Sequence, residues 1–211
     1  MSELSGTKEH IFDAFLEMTS KLGYENVSIR DIASKVGVNS ASMYYHFESK
    51  LKILEYAYDY YSKYVYANRI PVDVMKKMIE TANADEIMRA LVYTFVTEDQ
   101  KRYVRMILIT KIIYMRLFQD PIANAMFIES FKNNSDYLVS IFEHGIEVGR
   151  IVPGFDAETF ADVLIGSLIM MAFKSFASPE YKVEQLDEEN KILALYTRLL
   201  SAVMNEPISK D

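Results

Sequence analysis

Apolar positions recur along this chain at intervals of three and four, and the breaks between the stripes are short and polar. Ile11, Ala14, Phe15, Met18 and Leu22 form the first stripe, which places them on one face of a helix. Thr7 is the predicted cap of that helix and Gly23 its stop. Ser28-Ile-Arg-Asp31 fits a capping box that opens a short second helix, with Ile32, Ala33 and Val36 inward and Gly37 at its end. Asn39 predicts the cap of a third helix over 40–46. Ser49 starts a long fourth helix reaching about residue 68, with Leu51, Leu54, Tyr58, Tyr61 and Val65 on one stripe. After Pro71 the periodicity predicts helices over roughly 72–81, 84–96, 98–118, 121–149, 156–177 and 186–205. Asp99, Asp156 and Asp187 fall near helix starts, where the helix dipole favours a negative charge. Pro121, Pro153 and Pro179 mark joints, and Val27-Ser-Ile is too short for a strand. The expected architecture is all-α. A compact unit over 1–50 is followed by a larger helical domain over 51–211, and helix 50–68 links the two rigidly.

Composition narrows the chemistry. The 211 residues include no cysteine, which removes disulfides and thiolate metal sites. The three histidines, His10, His46 and His144, lie far apart, and none follows a Glu-x-x spacing of the kind that builds di-iron bundles. No phosphate-binding glycine loop and no Gly-x-Ser-x-Gly elbow is present, so neither an enzyme nor a cofactor or metal site is expected. The apolar run 163–173 is shorter than the roughly 20 residues a membrane span needs. The first ten residues have no apolar core of a secretory signal, so no membrane association and a cytoplasmic location are expected. The formal charge is −7, of which the first 52 residues carry −1. Residues 28–52 have a local excess of two positive charges, a small bias within an acidic protein.

The stretch VGVNSASMYYHFESK, residues 36–50, holds the most specific signal. Two short helices joined by Gly37-Val38-Asn39 make the pattern of a helix-turn-helix, whose second helix enters the DNA major groove. Met43 and Phe47 are four apart and face inward with Val38, while Ala41, Ser42, Tyr44 and Tyr45 face outward. Hydroxyls and phenols there can reach phosphates or base edges. Lys50 and Lys52 stand in the first turn of the fourth helix, where a cation is unfavourable to the helix and useful to a bound phosphate, although an ordinary exposed helix start can also carry a lysine.

At these positions the sequence resembles the N-terminal domain of the TetR family of transcriptional regulators. Ser28, Ile32, Ala33, Gly37, Val38, Asn39, Met43, Tyr44, His46, Phe47, Ser49, Lys50 and Leu54 fall at the family's spacing, over about 48 residues. Asn39 stands where serine is usual, and Leu51 where glutamate is frequent. The resemblance implies a three-helix DNA-binding domain and a larger ligand-binding and dimerisation domain. It also implies that Tyr44 and Lys50 contact phosphates, assisted by Ser42 and Ser28, and that Arg30, Ser40, Ala41 and Tyr45 reach bases. Arg30 is either a bidentate guanine contact or an exposed helix arginine, and His46 either packs or faces phosphate. Gly145-Ile-Glu-Val-Gly149-Arg-Ile is similar to a family pattern near the end of a late bundle helix.

The larger domain is rich in pliable side chains. Met106, Tyr114, Phe118, Phe127, Phe131 and Met170 are the candidate lining of a pocket for an unknown small-molecule effector, with ordinary core as the plain alternative for each. The last two helices read as a dimer surface. Leu164, Leu168 and Met171 come from the first, and Ile192, Leu195, Tyr196 and Leu199 from the second; two such pairs would form a four-helix bundle across a two-fold axis. The expected protein is a homodimer that binds double-stranded operator DNA and is released from it by an effector. A helical small-molecule carrier without DNA binding is the other reading.

Overall fold

The structure, a computed structural model, describes residues 6–67, 69–93, 99–177 and 186–205. Its elements are helices throughout: α1 (Gly6–Leu22), α2 (Ile29–Val36), α3 (Ser40–His46), α4 (Lys50–Tyr64), α5 (Val72–Thr81), α6 (Ala84–Tyr93), α7 (Gln100–Arg116), α8 (Pro121–Glu147), α9 (Ala157–Ala177) and α10 (Leu186–Ser201). A single 3-10 turn, Tyr24–Asn26, precedes α2. Among the described residues the only extended pairing is a lone bridge between Ile151 and Met204.

Local chemistry fixes most boundaries. Gly23, at φ 84°, follows the last residue of α1. α1 already begins at Gly6, so Thr7 lies inside its first turn and is not its cap. Asp99 accepts from the Arg102 N–H at 2.9 Å and caps α7, and Asp156 does the same for α9 through Thr159, also at 2.9 Å. Pro121 sits at the first position of α8, where its missing N–H leaves no bond unmade. α4 ends at Tyr64, short of the expected 68, and α8 ends at Glu147, ahead of Gly149 in a left-handed conformation. The expected ends of the helices over 84–96 and 98–118 fall partly on residues outside the described set, as do Pro179 and the side chain of Asp187.

Two compact units result. The first comprises residues 1–68 and 97–127, and the second 69–96 and 128–211, so the division falls within α8. The first unit's core gathers Phe12, Phe15, Leu16, Ile32, Met43, Phe47, Ile53 and Leu54 from α1–α4 with Ile109, Ile112 and Ile113 of α7. Five of the α4 tyrosines find places in this unit. Tyr56 meets Phe12 and Phe47 edge-on, Tyr60 packs on Phe12 and Tyr64, Tyr58 donates to Asp120 at 2.9 Å, and Tyr61 is half-buried against the core. Burial, and then the bond to Asp120, push the Tyr58 phenol above its ordinary value, so it stays a neutral donor.

α7 runs along α1 and is clamped to it at one end by charge. Arg105 forks onto Asp13 at 2.7 and 3.0 Å and reaches Glu9 at 2.8 Å, while Lys101 meets Glu9 at 2.7 Å. At the other end Arg116 lies 4.3 Å from the Tyr24 ring, 3.3 Å from Glu25 and 3.0 Å from Asp120.

The second unit is held differently. Met75, Ile79, Ile87, Met88, Ile141, Phe142, Ile151 and Leu200 form its core. A Cβ on Gly145 would lie 2.8 Å from Ile151 Cδ1 and 2.9 Å from Ile79 Cδ1, so glycine there lets α5 approach α8 closely. Arg150, only 1% exposed, donates to the carbonyls of Ile79 (3.0 Å), Ala82 (2.7 Å) and Asn205. The Gly-x-x-x-Gly-Arg-Ile stretch is therefore a packing device: a close approach, a left-handed turn at Gly149, and a buried guanidinium tying the end of α5 to the C-terminal segment.

Candidate nucleic-acid interface

The interface is built from α2, α3 and the first turn of α4, each started by a side-chain cap. Ser28 Oγ accepts from Asp31 N–H at 3.2 Å while Asp31 accepts from Ser28 N–H at 2.8 Å, completing a capping box. The bonds from Ser28 hold the Asp31 carboxyl below its ordinary value. Ser28 Oγ also donates to Asp31 at 2.6 Å, so its hydroxyl proton is engaged within the cap. Gly37 takes φ 76°, ψ 30°, the left-handed conformation that turns the chain from α2 toward α3 at no Cβ penalty. Asn39 Oδ1 accepts from Ser42 N–H at 2.8 Å and starts α3. Ser49 caps α4 through Lys52 N–H at 3.2 Å.

These caps set the rotation of α3. Met43 and Phe47 are buried and anchor it; Val38 packs against the same core. The opposite face is open. Tyr44 is 57% exposed and Tyr45 88%, with Ala41 exposed and Ser40, Ser42 and His46 half-exposed. The Tyr45 ring stands edge-on to His46 at 5.3 Å. Two exposed phenols beside small residues form a surface that a groove can receive and whose hydroxyls can donate to phosphate. Arg30 projects from α2 into solvent.

Lys50 is placed differently from the rest. Its ammonium donates to the carbonyls of Tyr24 at 2.8 Å and Val27 at 2.9 Å, and it lies 4.0 Å from the centre of the Tyr24 ring. Two of its three N–H donors are thus turned into the protein. Sequence reasoning missed this because the partners are backbone oxygens 23 and 26 residues away, and no side-chain pattern announces them.

The other candidate residues are scattered. Met106, Tyr114 and Phe127 gather in the first unit, where Tyr114 meets Phe127 edge-on at 5.7 Å and burial pushes its phenol up to about 12. Phe131 packs on the second unit's core. Phe118 is 92% exposed because it falls in the turn after α7, and Met170 is exposed on α9. On the two C-terminal helices, Leu164 and Tyr196 are enclosed in the second unit, where Tyr196 Oη donates to the Val163 carbonyl at 3.0 Å. Leu195 and Leu199 are exposed, Leu168 and Met171 are half-exposed, and the side chain of Ile192 lies outside the described set. Among the described residues no group of three or more His, Asp or Glu side chains could hold a metal ion, and no helix is long and apolar enough to cross a membrane.

Comparison with known proteins places the same region. Residues 11–57 match the family model for bacterial regulatory proteins of the tetR family. The negative transcriptional regulator IcaR of the biofilm operon icaADBC from Staphylococcus aureus is 29% identical over 99 residues, 47% of this chain and 50% of that protein, so the match spans about half the length of this curated relative. Among solved structures, the ketosteroid transcriptional regulator KstR2 of Mycobacterium tuberculosis superposes with a TM-score of 0.66 at 19% identity, over 97% of this chain and 98% of that one. A transcriptional regulator from Saccharomonospora viridis in complex with choline gives 0.62 at 17% identity, over 94% and 98%. At these identities the likeness to both structures is one of fold.

Proposed function

We propose that this chain, whose front unit is a tetR-family domain, is a homodimeric DNA-binding transcriptional regulator: a cytoplasmic repressor released from a semi-palindromic operator by a small, largely apolar ligand. The observation that carries the reading is the division of α3 into an anchored face, Met43 and Phe47, and an open face, Tyr44 and Tyr45. A small-molecule carrier has no use for two exposed phenols on a short capped helix. In the complex Arg30, Ser40, Ala41 and Tyr45 face base edges, with Arg30 as the guanine fork. Tyr44, Ser42, His46 and the rim at Ser28 face phosphates.

The homodimer draws on α9 and α10. Val163, Met170 and Phe173 on α9, and Leu195 and Leu199 on α10, are exposed apolar side chains at helical spacing, which suits a partner helix pair. A two-fold axis there would present two copies of α3 to successive major grooves, about 34–36 Å apart. The effector reading is supported by the aromatic and methionine content of α7 and α8 and by the choline bound to the S. viridis protein of similar fold. Release follows if the ligand favours a dimer geometry whose two α3 helices no longer match the grooves.

Selection of duplexes from a randomised pool tests the proposal. The expected product is an inverted repeat with half-sites about one helical turn apart. Tyr44→Ala should weaken binding to all recovered duplexes by a similar factor. Recovery of no duplex by the wild-type protein would leave the carrier reading in its place.

A further inference from the structure

An acidic protein has few cations to offer a phosphate backbone, and the front unit shows where each of them goes. Lys21 and Lys35 both pair with Glu17, at 2.9 and 2.8 Å, and Lys52 pairs with Glu55 at 2.6 Å. Lys50 is bound to the Tyr24 and Val27 carbonyls. Two cations in residues 1–52 remain, Lys8 and Arg30; among the described residues neither has a carboxylate within ion-pair distance.

Lys8 stands in the first turn of α1, with its Nζ 5.0 Å from the centre of the Phe47 ring and 5.7 Å from that of Tyr56. Phe47 is the residue on which α3 ends, directly after His46 and three positions after Tyr44. The two rings hold the ammonium beside the end of the reading helix without neutralising it, because a ring face attracts a cation and carries no net charge. The lysine stem lies partly buried along the same surface, so the head is positioned before any ligand arrives.

We infer that Lys8 is a phosphate contact of the DNA complex, and that Lys50 is a positioning residue that seats α2 by gripping the turn before it. This assignment rests on the DNA-binding reading above and goes beyond it, because it moves the cationic clamp from the start of α4 to the start of α1. The two roles differ in one measurable respect. A cation that meets a phosphate releases a counterion and enters the salt dependence of binding, whereas an ammonium whose donors are turned inward onto backbone carbonyls, and which meets no phosphate, does not.

The test compares Lys8→Gln and Lys50→Met with wild type. Binding to a mixed-sequence duplex is measured over a range of salt concentrations, and thermal unfolding is followed in parallel. Lys8→Gln is expected to unfold at the wild-type temperature. It should bind roughly tenfold more weakly per bound copy near 0.1 M salt and lower the salt slope by about 0.9 per copy. Lys50→Met is expected to lower the unfolding temperature and keep the wild-type slope. An unchanged slope for Lys8→Gln, or a lowered slope with an unchanged unfolding temperature for Lys50→Met, overturns the assignment while leaving the regulator reading intact. Absence of duplex binding by the wild-type protein overturns both. Because Lys8 lies outside the core, its variant remains informative even if Lys50→Met fails to fold.

Discussion

Each unit buries one arginine, and the two are satisfied by opposite means. Arg105, 8% exposed between α1 and α7, is met by the carboxylates of Glu9 and Asp13. Arg150, in the second unit, is met by three backbone carbonyls, two at the end of α5 and one in the C-terminal segment. The first arrangement is a charge balance, sensitive to protonation and to the loss of either partner. The second keeps a net positive charge inside the protein and depends on geometry alone. The Arg105 tie between α1 and α7 thus responds to solution conditions, and the Arg150 tie of the second unit does not.

The sharpest break of this contrast is at Arg150. Arg150→Met leaves three carbonyls without their donor, and each buried unsatisfied acceptor costs about 1–3 kcal/mol. The expected loss is about 3–5 kcal/mol, read by denaturant unfolding and by faster hydrogen exchange in α5, with no added dependence on salt. Arg105→Met should be milder, about 2–3 kcal/mol, because Glu9 and Asp13 keep part of their hydration and Lys101 remains beside them. Its exchange signature belongs in α1 and α7.

The smallest effect is acidification, which separates the units without a mutation. Hydrogen bonds from Lys101 and then Arg105 hold the Glu9 carboxyl below its ordinary 4.5. Burial pushes Asp120 up, but the bonds from Arg116 and Tyr58 outweigh it and keep that carboxyl below its ordinary value too. Groups depressed in the folded state contribute stability that is full above the unfolded value and lost as pH falls through the folded one. Amides of α1 and α7 should therefore lose protection as pH drops below 4.5, before that of Asn205, which is bonded to the Arg150 carbonyl in a tie that contains no carboxylate. Simultaneous loss in both units would erase the contrast.

What could be read from the sequence was what neighbouring residues decide. The Ser28–Asp31 box, the left-handed Gly37 and the caps at Asn39, Ser49 and Asp99 each act within three or four residues, so their patterns are visible in a string of letters. The inward face of α3 followed from Met43 and Phe47 together with Val38. What escaped reading lies across long loops. Glu9 and Asp13 are four apart, and so are Lys101 and Arg105, which makes the two steps complementary. Nothing in the spacing, however, says that these two helices meet across more than 90 residues. Tyr58 and Tyr61 could be placed on the apolar stripe of the fourth helix, but Phe12, Phe47 and Asp120, the partners of the α4 tyrosines, could not be read. Pocket lining was the least legible, because methionine and phenylalanine at helical spacing mark a core as readily as a cavity, and an exposed turn such as that at Phe118 breaks the periodicity.

The interleaving of the two units along the chain bears on biosynthesis. As the polypeptide leaves the ribosome, α1–α3 emerge first, yet the cations that balance Glu9 and Asp13 follow only with Lys101 and Arg105. Arg150 in turn waits for Asn205, whose own N–H closes back onto the Arg150 carbonyl at 2.8 Å. Neither unit is complete until chain well beyond its first segment has been made: the first waits for Lys101 and Arg105, the second for Asn205.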